Sequence, residues 1–162
     1  MSNTIFITTL FGHIHIHANG THIQAIELSH RKVKKNITPD TNSITFSKVI
    51  VKQIREYLEH KRTAFDLPYM LPVNASEFQK KVWSAIIDIP YGTTVSYGDL
   101  AMLLNSSPRA VGNACGKNAI PLIIPCHRVV SKLGIGGFSG ATNSDKIANV
   151  RIKKYLLDLE QS

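Results

Sequence analysis

The first third of the chain alternates apolar and polar residues, a pattern that is typical of β-strands with one buried face. Residues 5–7 begin this pattern, residues 13–17 continue it, and residues 22–28 resume it after Asn19 and Gly20. Because an Asn-Gly pair favours the positive φ angles of a tight turn, the last two runs are predicted to form a β-hairpin.

A helix is predicted after the irregular polar segment 29–46, with Ser47 as its N-cap. Its apolar residues share one helical face, and they are Val49, Ile50, Ile54, Tyr57 and Leu58. Residues 65–72 hold two prolines and show no helical periodicity, so we interpret them as a linker. We therefore predict a domain boundary near Asn74, with domains at 1–74 and 75–162.

Helical patterns dominate the second part of the chain. A first helix begins at Ser76, and its apolar stripe consists of Phe78, Val82, Trp83, Ile86 and Ile87. Two short helices follow at 97–104 and 109–117, joined by the polar turn 105–107, and a final helix spans about 144–160. The short pair matches a helix-turn-helix, although a plain αα-hairpin has the same spacing and is the commoner arrangement.

Composition is that of an ordinary folded protein with a basic excess. Of 162 residues, 43% are hydrophobic, and the net charge is +8. Residues 1–74 hold 9 basic and 5 acidic side chains, and residues 75–162 hold 10 and 6, so the excess is evenly spread. This balance is compatible with a nucleic-acid partner but does not locate one, and many basic proteins bind none.

The chain shows no sign of a membrane or secreted protein. No apolar run approaches the roughly 20 residues of a membrane-spanning helix, and the first residues lack the features of a secretory signal. We expect a cytoplasmic protein, or a nuclear one in a eukaryote, with no membrane partner. Cys115 and Cys126, the two cysteines, would then stay reduced, and a disulfide scaffold is not expected.

The segment 121–130 carries the most chemical information, because it places Cys126 directly beside His127 and Arg128. The thiolate is the nucleophilic form of cysteine, and a neighbouring base or cation lowers the thiol pKa from about 8.5. Adjacent side chains seldom point the same way, so His127 would reach the sulfur through a water or a turn. A buried, inert thiol is the commoner state of a lone cysteine, and the segment alone leaves both interpretations open.

The second helix of the short pair carries unusually small side chains. They are Ala110, Gly112, Ala114, Cys115 and Gly116. Each glycine costs about 1 kcal/mol relative to alanine inside a helix, so two of them require a reason. Close packing against another helix is the commoner reason, and entry into a DNA minor groove is the alternative. Arg109, at the start of this helix, is a candidate for insertion into a base stack.

Several motifs in order resemble the O6-alkylguanine-DNA alkyltransferases, also called methylated-DNA–protein-cysteine methyltransferases. Residues 125–129, Pro-Cys-His-Arg-Val, match that family's active-site signature at each position. Further matching segments are 78–83, 89–97, 109–112, Asn118, 137–140 and 153–157. The resemblance is dense over 76–160 and extends to the first 74 residues in outline. It implies an α+β fold, with an N-terminal RNase H-like α/β domain and a mostly helical, winged-helix-like C-terminal domain with a helix-turn-helix.

The resemblance implies direct-reversal DNA repair as the activity. The alkyl group of O6-alkylguanine would move to Cys126 in one irreversible turnover, and O4-alkylthymine is a second candidate substrate. The thioether product does not hydrolyse, so each protein acts once. The implied partner is double-stranded DNA, bound through its minor groove by a monomer, and no metal or organic cofactor is implied.

The resemblance also implies roles for individual residues. Arg109 would fill the gap left by a flipped nucleotide, and Tyr97 would donate a proton to the departing guanine. His127 would act as a base toward Cys126 through a water, and Glu160 would orient the imidazole. The other implied substrate- or DNA-binding residues are Ala110, Gly112, Asn118, Arg128, Val129, Ser139 and Lys153.

Some of these residues have more specific implied roles. The carbonyl groups of Cys126 and Val129 would lie near the exocyclic amine of guanine, and the backbone N–H of Ser139 near its O6. Asn118 would brace the active-site turn, and Lys153 would line the pocket.

Three features depart from the family pattern. Some members hold zinc in the N-terminal domain, but this chain has no cysteine there. His13, His15 and His17 share a strand face and could bind a metal, although a solvated face is the commoner arrangement. Residues 141–149 resemble an insertion before the final helix, and Phe138 replaces the family's common tyrosine.

Three other functions compete with this interpretation. An alkyltransferase-like protein would bind the same lesions without a reactive cysteine, and the presence of Cys126 argues against it. A helix-turn-helix regulator would need several long polar side chains on its recognition helix, where only Arg109, Asn113 and Lys117 qualify. A cysteine hydrolase would turn over repeatedly and would not need DNA.

Overall fold

A computed structural model describes residues 3–31, 44–138 and 146–162. The N-terminal part contains strands β1 (Asn3–Thr9), β2 (Gly12–Ala18) and β3 (Ile23–Ser29), and helix α1 (Ile44–Leu58). The C-terminal part contains helices α2 (Glu77–Ile87), α3 (Tyr97–Leu103), α4 (Pro108–Gly116) and α5 (Lys146–Gln161), strands β4 (Val95–Ser96) and β5 (Val129–Val130), and a 3-10 helix (Cys126–Arg128). None of these helices combines the length and apolar character that crossing a membrane requires.

The three N-terminal strands form an antiparallel meander in the order β1-β2-β3. Ile14 of β2 pairs with Ile7 on one side and Leu28 on the other, and all three side chains are buried. The predicted hairpin between β2 and β3 is present, but its loop spans residues 19–22. The Asn19 side-chain oxygen closes this loop by accepting from the backbone N–H groups of Thr21 and His22.

Helix α1 packs against β1, and its start differs from the prediction. Ser47, predicted as the N-cap, is buried inside the helix, which already begins at Ile44. Phe46 packs against the core, and burying an aromatic side chain outweighs the roughly 1 kcal/mol that a cap contributes. Tyr57 is buried as part of the predicted stripe, whereas Val49 is 41% exposed.

Residues 65–72, predicted as a linker, form an ordered edge of the N-terminal part. Tyr69 makes a parallel bridge with Ile23 of β3. The Gln53 side chain binds both backbone groups of Asp66, at 2.9 and 3.1 Å. This segment therefore packs along the sheet before the chain enters α2.

The predicted starts of α2 and α4 are confirmed by their caps. Ser76 and Gln79 form a capping box at α2, and Ser107 caps α4 beside Pro108. Helices α3 and α4 pack against each other as the predicted helix-turn-helix. The predicted α2 stripe is only partly buried: Val82, Trp83 and Ile86 are buried, Phe78 is half-buried and Ile87 is 40% exposed.

One continuous hydrophobic core joins the two parts of the chain. Ile26 of β3 donates a backbone hydrogen bond of 2.8 Å to the carbonyl of Ala119, which follows α4. Helix α5 packs against both β3 and the 3-10 helix. The segment that carries Cys126 is therefore supported from both parts.

The histidine row on β2 is less solvated than predicted. His13 is 5% exposed and stacks on His15 with 4.3 Å between ring centroids. Phe6 contacts His15 edge-on, and Glu27 lies 3.7 Å from His15 and 3.9 Å from His17. Within the described ranges, no three His, Cys, Asp or Glu side chains are placed to hold one metal ion.

Candidate active site

A cavity of about 700 Å³ lies between α3, α4 and the loop after β5. Its wall includes Tyr97, Arg109, Cys115, Cys126 and Phe138. This volume falls within the range of about 300–1,000 Å³ that is usual for small-molecule sites. Cys126 is 5% exposed, so a reactant reaches its sulfur through this cavity.

A buried turn delivers Cys126 to the cavity. Leu122 is 2% exposed and has a φ of 74°, a conformation that costs a leucine energy and persists where packing enforces it. The chain then makes tight turns, because the N–H of Cys126 donates to the carbonyl of Ile124 and the N–H of Arg128 donates to the carbonyl of Pro125. The sulfur therefore projects from the start of a 3-10 helix.

Asn118 braces this turn with all of its polar atoms. Its Nδ2 donates to the Ile124 carbonyl at 2.9 Å and to the Cys126 sulfur at 3.1 Å. Its Oδ1 accepts from the N–H of Ile120 at 3.0 Å. An amide that donates to sulfur favours the thiolate, so Asn118 both holds the turn and stabilises the nucleophilic form.

Glu160 lies at the centre of a buried hydrogen-bond network beside this turn. Its Oε1 lies 2.7 Å from Nε2 of His127 and accepts from the Tyr57 hydroxyl at 2.7 Å. Arg128 donates to both carboxylate oxygens, at 2.9 and 3.0 Å, and the N–H of Gly92 donates to Oε2. Burial alone would raise the pKa of Glu160, but these donors hold it well below its usual range.

The network determines the state of His127. Because Glu160 is ionised, the ring proton of His127 is on Nε2, and this N–H donates a hydrogen bond to the carboxylate. Nδ1 is buried and has no hydrogen-bond partner among the residues that the structure describes. Burial lowers the pKa of His127 despite the opposing effect of Glu160, so the imidazole is neutral. A neutral ring with a free Nδ1 lone pair is equipped to act as a base.

Tyr57 is a site residue that the sequence analysis missed. It was assigned to the apolar stripe of α1, yet its hydroxyl binds Glu160 and lies 3.4 Å from Nε2 of His127. The side chain is 1% exposed, and burial together with Glu160 raises its pKa. The available signal was general: a fully buried tyrosine hydroxyl needs a hydrogen-bond partner.

Cys115 is a second thiol in the cavity, and its place beside Cys126 was also missed. Sγ of Cys126 lies 3.9 Å from the carbonyl oxygen of Cys115. The interaction between the thiols lowers the pKa of Cys115, and that interaction together with burial raises the pKa of Cys126. Loss of a second proton would place two negative charges side by side, and their repulsion disfavours it. The pair therefore carries at most one negative charge near neutral pH.

Lys153 lies behind the cavity wall rather than in it. Its fully buried Nζ donates to the carbonyls of Val129 at 2.6 Å and Gly137 at 2.8 Å. Burial lowers its pKa to about 8, against the opposing influence of the two thiols. Lys153 thus ties β5 to the loop that closes the cavity, and it already binds one lone pair of the Val129 carbonyl.

Tyr97 forms one side of the cavity. Its hydroxyl donates to the Gly137 carbonyl at 3.3 Å, and burial and the nearby thiols raise its pKa, so the phenol keeps its proton. The loop opposite requires glycine at position 136, where φ is 74° and a Cβ would lie 3.0 Å from the Tyr97 ring. Glycine at position 136 therefore leaves room for the Tyr97 ring.

The small residues of α4 leave one face of the helix open. Among the described residues, the nearest atom to a Cβ on Gly112 would be in the Tyr97 ring, at 4.0 Å. This is an ordinary contact distance, so close packing against α3 does not explain this glycine. A groove lined by Ala110 and Lys117 flanks the other side of the helix. Arg109 is exposed at the cavity rim and makes no ion pair or side-chain hydrogen bond with any residue in the described ranges.

Two predicted features, Ser139 and the insertion after the glycine-rich loop, lie wholly or partly outside the described residues. Ser139, implied to bind O6, lies outside the described residues, as do residues 140–145. Residues 146–149 of the predicted insertion form the first turn of α5. Phe138, the departure from the family's tyrosine, is buried in the cavity wall.

Sequence comparison identifies the family. Residues 77–162 match the 6-O-methylguanine DNA methyltransferase DNA-binding domain, and residues 4–71 match the ribonuclease-like domain of the same proteins. The methylated-DNA–protein-cysteine methyltransferase of Methanocaldococcus vulcanius is 43% identical over 123 residues, covering 76% of this chain and 70% of that protein. The Mycobacterium tuberculosis protein of that name is 34% identical over 157 residues, covering 95% and 86%. The chain belongs to the 6-O-methylguanine DNA methyltransferase family.

Solved structures show the same fold. The crystal structure of the M. tuberculosis O6-methylguanine methyltransferase is similar with a TM-score of 0.77 at 29% identity, covering 99% of this chain and 93% of that one. The M. tuberculosis OGT in complex with DNA gives a TM-score of 0.77 at 31% identity, covering 96% and 91%. The predicted family and α+β fold are confirmed.

Proposed function

We propose that this protein repairs DNA by moving the alkyl group of O6-alkylguanine onto the sulfur of Cys126, once per molecule. The observation that carries the proposal is the placement of Cys126 in a cavity wall, beside the buried pair of His127 and Glu160. Relatives named for methyl transfer from DNA to a protein cysteine support it. The thioether product is stable, so the protein is a stoichiometric reagent, and O4-alkylthymine is a second candidate substrate.

The first step activates the thiol. A water between Cys126 and Nδ1 of His127 passes the thiol proton to the imidazole, and Glu160 stabilises the imidazolium that forms. Asn118 donates to the thiolate. The sulfur then attacks the alkyl carbon in line with the C–O bond, which breaks as the C–S bond forms. This step requires no metal or organic cofactor.

The second requirement is a neutral leaving group. The Tyr97 phenol, which keeps its proton in the cavity, donates to the guanine as the C–O bond breaks, so that neutral guanine departs. The Val129 and Cys126 carbonyls accept from the exocyclic amine, and Ser139 donates its N–H to O6. Lys153 holds the Val129 carbonyl in position for that contact.

The DNA approaches the open face of α4. This face, with Ala110 and Gly112, enters the minor groove of duplex DNA, and Arg109 occupies the space of the extruded nucleotide. The extruded base enters the cavity of about 700 Å³. Arg128 acts from the protein interior by holding Glu160, and residues 1–74 support the site through Tyr57. One monomer forms the complete site.

Intact mass after exposure to a duplex that contains O6-methylguanine tests this function. The protein gains the mass of one methylene group, the peptide with Cys126 carries it, and Cys126→Ser shows no gain. Cys115→Ser still accepts the group. An intact lesion after exposure to excess protein contradicts the proposal, and repeated turnover without a mass gain indicates a hydrolase instead.

A further inference from the structure

Cys115 has no role in the proposed transfer, yet its side chain shares the cavity wall with the acceptor thiol. Sγ of Cys126 lies 3.9 Å from the backbone oxygen of Cys115, so the acceptor sulfur lies beside residue 115 in the wall of the same cavity. The interaction between the thiols lowers the pKa of Cys115 and raises the pKa of Cys126. The chain contains no other cysteine. A placement this close is chemically consequential, because two adjacent thiols are the reduced form of a disulfide.

We propose that Cys115 and Cys126 form an oxidisable pair, which a hydroperoxide converts to a disulfide and a dithiol returns to the reduced, active state. The inference rests on the proposed function in one respect: loss of alkyl transfer reports the oxidised state. Disulfide formation itself is measured independently, by mass and by thiol labelling.

The reaction balances with one hydroperoxide per pair. One sulfur takes the terminal peroxide oxygen, the O–O bond breaks, and an alcohol or water leaves. The second thiol attacks that sulfenic acid, the S–O bond breaks, water leaves, and the S–S bond forms. Two electrons pass from the two thiols to the peroxide, and the two thiol protons leave in the water and alcohol products.

The cavity suits this chemistry for physical reasons. Its volume of about 700 Å³ admits a small hydroperoxide, although both cysteines are less than a tenth exposed. Lys153 favours a thiolate on either sulfur, and the thiolate is the form that peroxides oxidise. A lone sulfenic acid oxidises further to an irreversible sulfinic acid, whereas a neighbouring thiol captures it first. Cys115 thereby preserves a sulfur that the protein uses only once.

The test compares wild type with Cys115→Ser under stoichiometric hydrogen peroxide. Wild type loses about 2 Da, both thiols resist alkylation by iodoacetamide, and a peptide linking residues 115 and 126 appears. Transfer from O6-methylguanine DNA falls by about tenfold or more, and dithiothreitol restores it to within about twofold. Cys115→Ser instead gains about 16 or 32 Da, and dithiothreitol restores little of its activity once the sulfinic acid has formed.

Controls keep the possible failures separate. The transfer rate of each protein after peroxide treatment is divided by its rate before treatment. The unfolding midpoint of each variant is compared with that of wild type. Cys115→Ala replaces Cys115→Ser if the serine variant does not fold. Wild type that gains oxygen while Cys115 remains free for alkylation overturns the pair. Equal recovery of Cys115→Ser and wild type also overturns it. A disulfide that forms in a protein unable to transfer methyl groups contradicts the proposed function and leaves the thiol pair standing.

Discussion

Oε1 of Glu160 lies 2.7 Å from Nε2 of His127, and each side chain is 1% exposed. Helix α5 supplies the carboxylate and the 3-10 helix supplies the imidazole, so their contact depends on how α5 crosses the reactive turn. It leaves Nδ1 as the free nitrogen of a neutral ring. We propose that this nitrogen accepts the proton of Cys126.

Replacing Glu160 with glutamine should slow alkyl transfer by about 100-fold or more, because the imidazolium loses its counter-charge. The variant should also lose about 3–5 kcal/mol of stability, since the Arg128 guanidinium remains buried without a carboxylate. Single-turnover transfer and urea unfolding measure the two effects. Glu59→Gln, which removes an exposed carboxylate, is the matched control. A rate within about threefold of wild type would show that His127 needs no orienting charge.

Acid should unfold wild type through the same carboxylate. The pKa of Glu160 in the folded protein lies below its ordinary value of 4.5, so the stabilisation from Glu160 is complete above that pH and is lost as the pH falls toward the lower, folded-state pKa. The free energy of unfolding, measured in urea from about pH 6 to pH 3, should therefore decline more steeply for wild type than for Glu160→Gln. Parallel curves for the two proteins would argue that Glu160 titrates normally.

Tyr57→Phe should weaken both stability and transfer without abolishing either. The variant removes one donor to Glu160 at a cost of about 1–2 kcal/mol, and it should slow transfer several-fold because the carboxylate is less firmly held. The acid limb of the rate profile should move to higher pH, since the pKa of Glu160 rises when a donor is lost. Tyr155→Phe is a suitable control, because its hydroxyl makes no hydrogen bond among the described residues. An unchanged pH profile would limit Tyr57 to a packing role.

Arg109→Ala should discriminate between duplex and free-base substrates. Without a side chain to occupy the gap, base extrusion becomes less favourable, and transfer from an O6-methylguanine duplex should fall by about tenfold or more. Transfer from the free base O6-benzylguanine needs no extrusion and should stay within about twofold of wild type. Arg151→Ala, on the exposed side of α5, is the control for charge. Equal losses on both substrates would place Arg109 in the chemistry or the folding instead.

Sequence patterns predicted the features that depend on contacts between residues close together in the chain. Ser76 was recognised as a helix start because a cap is a contact between residues three positions apart. The same reasoning failed at Ser47, where burial of Phe46 extends the helix beyond the cap. Cys126 and His127 were recognised because they are adjacent in the sequence.

The rest of the site depends on contacts that no local pattern reveals. Tyr57 and Glu160 are 103 positions apart, and only packing of α1 and α5 on the same core brings them together. The family resemblance pointed to Glu160 but not to Tyr57, which donates to it. Cys115 and Cys126 are 11 positions apart, and the buried segment between them includes Leu122 with a positive φ. A leucine gives no sign of that conformation.

The hydroxyl of Tyr57 makes the first part of the chain a contributor to the chemistry of the second. A hybrid protein that joined this C-terminal half to a relative's N-terminal half would inherit a carboxylate with one donor missing, unless the donor helix also carried a phenol at the equivalent place. Cutting the molecule at residue 74 would have the same effect. The reactive half therefore depends in part on α1, and its substitutions are constrained by the donor that α1 supplies.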